Sequence, residues 1–217
     1  MPSCKLTLAS VVILMTTCFS QTRGGEEPMA APTAIRNVLS KGHVSGSLAY
    51  WGQCGVHKPY PDFPKLRAQS DYSGSPSEVL QRMFADDKHM SVTQEGDGTV
   101  RMIEDDVPTD LLNVKIRHIS FASGDMSHGA NMALIQILML PEVEAFKKAH
   151  NIGPSEENAF IFPGDAGDPG TPTVSGDLEN VTVSQTLDYV LKTFPGFWLY
   201  ENCRTEGGGR TVFFNFF

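Results

Sequence analysis

Val44-Ser45-Gly46-Ser47-Leu48 returns further along the chain as Val174-Ser175-Gly176-Asp177-Leu178, and similar elements follow both copies in the same order. A short amphipathic helix comes first, then a strand, a Gly-rich turn and a second strand. Recurrence of a whole supersecondary unit tells how a chain buries its apolar faces, but it carries no chemistry. The pattern predicts an α+β protein of two related β-α-β-β units, each a small sheet with one packed helix, joined by a helical pair. Val44 aligns with Val174, Leu80 with Leu187 and Val100 with Val212. The offsets between these pairs differ, and the difference falls in loop-like insertions. Chance similarity is the competing explanation.

The first unit is read over residues 44–125. Leu48 to Trp51 is a strand, and a Pro-rich insertion with Pro59, Pro61 and Pro64 follows it. Ser75-Pro76-Ser77-Glu78 opens a helix with Val79, Leu80, Met83 and Phe84 on one face. Met90 to Thr93 and Thr99 to Ile103 alternate as strands around the turn Gly96-Asp97-Gly98, and Val114 to Phe121 alternates again. Residues 126–162 form a helical connection and a strand. Ala130 to Leu140 is almost wholly apolar, Pro141 opens a second helix, and Phe160-Ile161-Phe162 reads as the strand. The second unit is read over 163–217. It has a helix carrying Leu187, Val190 and Leu191, the strand Phe197-Trp198-Leu199-Tyr200, the turn Gly207-Gly208-Gly209 and a last strand from Thr211.

Ahead of the units, residues 1–20 read as a signal peptide: Lys5 is the only charge, Leu6 to Met15 is apolar, and small polar residues follow. The apolar run is too short for a stable membrane span. The expected location is periplasmic or secreted. The alternatives are an uncleaved anchor and a lipoprotein attached through Cys18, although Met15-Thr16-Thr17 departs from a lipobox. Residues 21–43 form a flexible leader with a short helix from Thr33, read as its N-cap, to Leu39. The formal charge of −8 argues against nucleic acid, whose binders neutralise phosphates with basic residues. Of the four cysteines, Cys54 and Cys203 remain after processing and are expected to form a disulfide. Two unpaired thiols or an intermolecular bond is the competing reading.

Gly176-Asp177-Leu178-Glu179-Asn180-Val181-Thr182-Val183, followed by Gln185-Thr186-Leu187-Asp188-Tyr189-Val190-Leu191, carries a resemblance. Val174 to Phe217 is similar to the short domain at the N-termini of secretins and TonB-dependent receptors. In that family a strand ends in a triplet such as Asn-Val-Thr, and one helix packs on a small sheet. Such domains are not enzymes; they associate in ring assemblies or bind a periplasmic partner protein. In that family the domain is normally N-terminal, whereas here it is the last element. Phe197 to Tyr200 is also more aromatic than the family's strand. The resemblance supplies no catalytic residues.

Several residue sets invite a chemical reading. Ser123, Asp125, Ser127 and His128 hold the residue types of a hydrolase triad, but the Gly-x-Ser-x-Gly elbow is absent and a polar loop before a helix accounts for them. Cys54-x-x-His57 is half a zinc signature without its second half. Asp165, Asp168 and Asp177 lie in a Gly-rich stretch that offers oxygen ligands to calcium, or ordinary turns. Tyr50, Trp51, Trp198 and Tyr200 suit an interaction surface, with Tyr50 and Trp51 its candidates, or the core. No catalytic residue, metal or cofactor is assigned. The function expected is a non-enzymatic interaction module of the bacterial envelope, binding an envelope protein or itself by strand addition. The rival is a small periplasmic hydrolase or metal-dependent enzyme using the 123–128 or 165–177 loop.

Overall fold

The structure is a computed structural model, and it describes residues 30–52, 63–67, 72–121, 129–153, 172–204 and 209–217. The expected signal peptide, Cys18, Cys54, His57, residues 123–128, the expected Phe160–Phe162 strand, Asp165 and Asp168 lie outside the described residues.

The fold is mixed α+β. In chain order it runs α1 (Ala30–Lys41), β1 (Gly46–Trp51), α2 (Pro76–Met83), β2 (Met90–Gln94), β3 (Val100–Glu104), the 3-10 turn Leu111–Asn113, β4 (Lys115–Phe121), α3 (Ala130–Leu138), α4 (Pro141–Ala149), β5 (Gly176–Thr182), α5 (Val183–Leu191), β6 (Phe197–Arg204) and β7 (Arg210–Phe216). Thr33 falls inside α1 and is not its N-cap. Ala30 and Ala31 extend the helix forward, and Pro32 is tolerated in a first turn that needs no N–H from it.

Five strands form one sheet in the order β2-β3-β1-β6-β7, while β4 and β5 pair separately. β1 lies parallel to both β3 and β6; the β2–β3 and β6–β7 hairpins are antiparallel. β6 is apolar along Phe197-Trp198-Leu199-Tyr200 because it is an inner strand of the sheet and is covered on both faces. One face packs Leu48, Tyr50, Val100, Met102 and Leu199 against α1 and α2. The other packs Trp198, Tyr200, Val212 and Phe214 against α3, α4, α5 and the inner side of β4.

The order strand-helix-strand-strand occurs twice, as β1-α2-β2-β3 and β5-α5-β6-β7. Both helices open with a full capping box, Ser75 with Glu78 and Thr182 with Gln185, each satisfying two backbone N–H groups. The expectation that each unit makes its own small sheet is corrected by the strand pairing. β5 leaves its hairpin to pair with β4, and β6–β7 joins β1 instead. Composition accounts for this. The continuous apolar β6 needs cover on two faces, whereas the polar-edged β5, with Asp177, Glu179 and Asn180 exposed, needs it on one.

Candidate functional site

The hydrogen-bond register of the first hairpin defines an open edge. Glu95 N–H donates to Thr99 O (2.8 Å) and Asp105 N–H to His89 O (2.8 Å), bracketing the five paired residues of β2 and β3. In an antiparallel ladder the bonded pairs alternate, so Ser91 and Thr93 face β3 while Met90, Val92 and Gln94 turn their backbone groups outward. Met90 N–H is taken by Asp87 O (3.3 Å), and Val92 O accepts from Gln81 Nε2 (2.9 Å). Val92 N–H and both groups of Gln94 point away from the sheet, with no strand beside them among the described residues. Met90-Ser91-Val92-Thr93-Gln94 contains no charge and no proline, the usual devices that blunt an edge.

The opposite edge is covered at its two ends, while Val212 and Phe214 turn their backbone groups outward between them. Gly153 N–H donates to Arg210 O (2.7 Å), Arg210 N–H donates to Asn151 O (3.3 Å), and Phe216 N–H is held by Asn215 Oδ1 (2.8 Å).

Two ion-pair clusters fix the elements on one face of the sheet. Arg101 on β3 makes a two-point bond to Asp188 on α5 (2.7 and 2.6 Å) and also reaches Glu95 (2.9 Å). Trp198 Nε1 donates to the same Asp188 carboxylate (2.8 Å). Burial lowers the Arg101 guanidinium, but the bonds and charges of Asp188 and Glu95 outweigh it and raise it above its ordinary value. Arg210 holds Asp110 at two points (2.9 and 2.7 Å). Burial raises the Asp110 carboxyl, and the bonds and charge of Arg210 win, leaving it below the usual carboxylate range. Nearby, Tyr200 OH donates to Pro108 O (3.1 Å), and burial pushes the phenol upward. These are structural clamps: their donors and acceptors are turned on one another.

The candidate surface Tyr50–Trp51 divides. Tyr50 is only 1% exposed and packs beside Phe63, so it belongs to the core; strand alternation turns it inward where Trp51 turns to the other face. Trp51 is half-buried, its indole N–H on Asp106 O (3.2 Å) and its ring beneath Arg204 (4.6 Å). Trp198 and Tyr200 are buried. Of the two cysteines expected to pair, Cys203 is buried near the end of β6 with Sγ 3.8 Å from Glu201 Oε1.

Asp177 is exposed on β5 with His118 Nε2 at 3.7 Å from its carboxylate. Among the described residues no group of His, Cys, Asp or Glu is arranged to hold a metal ion. No helix of the described residues is long and apolar enough to cross a membrane. Reading the sequence did not single out β2 as the open edge, although its short, half-polar, uncharged alternation is the signal that marks one. No family model, no curated protein and no solved structure matches this chain.

Proposed function

We propose that this protein is an exported, non-enzymatic interaction module of the bacterial cell envelope, similar to the short secretin and TonB-receptor domains, and that it takes an extended partner segment along β2. The observation that carries the reading is the outward register of Val92 and Gln94 on an uncharged strand at the end of the five-stranded sheet. A segment laid there gains main-chain hydrogen bonds and extends a sheet already packed on both faces. The partner is an envelope protein or a second copy of the chain. The two β-α-β-β stretches are copies of one unit in this reading, supported by the matching capping boxes.

A Cys54–Cys203 disulfide belongs to the same proposal. Its support is the parallel register, which sets Trp51 against Asn202, together with the bond from Gly52 N–H to Asn202 O (2.8 Å). Cys54 follows Gly52 by two residues. Intact mass of the exported protein, with and without reductant, reads the bond directly; a mass unchanged by reduction sinks it.

A photo-cross-linking residue at Thr93 tests the edge in envelope extracts. The expected result is an adduct, to another protein or to a second copy, that disappears when Gln94→Pro removes an outward N–H. The same probe at Lys115, on β4, gives no such adduct. Absence of any adduct at position 93, from a protein that light scattering shows to be monomeric, overturns the proposal. A thermal melt of the Gln94→Pro variant confirms that it is folded.

A further inference from the structure

At the far side of the molecule from β2, a cavity of about 500 Å³ opens beside the loop entering β6 and the end of β7. That volume falls inside the roughly 300–1,000 Å³ typical of small-molecule sites. Its walls are Pro32, Pro172, Phe194, Pro195, Phe216 and Phe217. The Phe217 ring is pinned in place, stacked on Phe197 (5.3 Å) and meeting Phe63 edge-on (5.4 Å), so this wall is rigid before any ligand arrives.

Among the described residues, the charge on the polar side of the cavity has one sign. In a chain of formal charge −8, no acidic side chain lines it among the described residues, and Arg36 is the one charged side chain among them that does. Arg36 is exposed on α1 and is engaged in none of the ion pairs described for the fold. The first turns of two helices also border the space, through Pro32 and Thr33 on α1 and through Ala130 and Asn131 on α3. Neither first turn contains an acidic residue, and α3 opens without a side-chain cap bond. Helix starts carry partial positive charge and outward N–H groups, so both add to the guanidinium. Apolar walls beneath a single positive rim select an amphiphile whose head is a small anion.

We propose that this cavity binds a monocarboxylate with an aliphatic tail, the tail against the Pro and Phe walls and the head at Arg36. This inference stands apart from the strand-addition reading, since β2 and β7 are opposite edges of the sheet. The test is calorimetric titration of the full chain with decanoate, and in parallel with decanol. Saturable decanoate binding is expected. It should weaken about tenfold in Arg36→Gln, whose exposed position leaves the fold intact, and decanol should bind at least tenfold more weakly than decanoate. Ala130→Phe, which fills the space beside α3, should weaken both ligands. No saturable binding of decanoate to the unaltered protein overturns the proposal. So does equal binding of decanol and decanoate, or an Arg36→Gln variant that binds decanoate undiminished.

Discussion

The two β-α-β-β stretches share an order of elements and diverge in everything that order does not fix. In the first, β1 lies at the centre of the large sheet and the second hairpin strand, β3, pairs with it. In the second, β5 leaves for the small sheet, and the first hairpin strand, β6, is the one beside β1. Their helices consequently cover opposite faces: Leu80 of α2 packs with α1 on one, Leu187 of α5 with α3 and α4 on the other. The glycines at the head of the motif differ too. A side chain at Gly46 would come within 2.8 Å of the Val100 carbonyl, so close packing of neighbouring strands requires glycine there. Gly176 needs it because its φ is +125° and the Tyr189 hydroxyl sits where a side chain would begin. One local pattern can therefore feed two different sheet positions when the strands differ in how many faces need cover.

Matched truncations break this comparison most severely. Leu80 and Leu187 are both 0% exposed, and Leu80→Ala and Leu187→Ala should each cost about 4 kcal/mol in urea unfolding. Because the two side chains lie in separate cores, the double variant should be additive to within about 0.5 kcal/mol. A coupling well beyond that would mean that the two faces do not act independently.

Asp188→Ala probes the clamp between the stretches, where β3 of the first is tied to α5 of the second. It leaves Arg101 half-enclosed without its main partner and strips the acceptor from Trp198, for an expected loss of about 3 kcal/mol. Loss of less than 1 kcal/mol would show the clamp to be ornamental. Asp188→Asn keeps an acceptor for the indole and should fall between Asp188→Ala and the unaltered chain.

The capping boxes supply a finer comparison. Ser75→Ala and Thr182→Ala should each cost about 1 kcal/mol by thermal unfolding. Thr182 should be the costlier, because it closes β5 directly into α5 with no connecting residue. The reverse order would count against the second junction as the more tightly determined.

Smallest is the pH effect at Asp110. Its carboxyl is depressed in the folded protein, so its stabilising share is present above the unfolded value of about 3.9 and is lost as pH falls through the folded value. Asp110→Asn should therefore lower stability at pH 7, where that share is present, and converge on the unaltered chain as pH falls below about 4, which flattens the acid limb of the stability curve. An unchanged acid limb would place the depression elsewhere.

Much of this was readable in the residues. The helix begun by Ser75-Pro76-Ser77-Glu78, the hairpin turned at Asp97-Gly98 and the apolar inner strand at Phe197–Tyr200 announce themselves by caps, turn chemistry and hydrophobic runs, and each is where it was expected. Thr33 misled because a good cap residue also sits comfortably one turn into a helix when alanines precede it. Tyr50 could not be assigned to core or surface, because a strand's alternation gives two faces and not which is covered.

Local chemistry written in the chain thus determined the elements and their order, since caps, turns and periodicity act over a few residues. The choice of partner for each strand was decided only by tertiary structure. It depends on which of several apolar faces meet, and that is a property of the whole packed core. The same holds for the open edge at β2 and for the cavity under Arg36, which exist only once distant segments have closed around them.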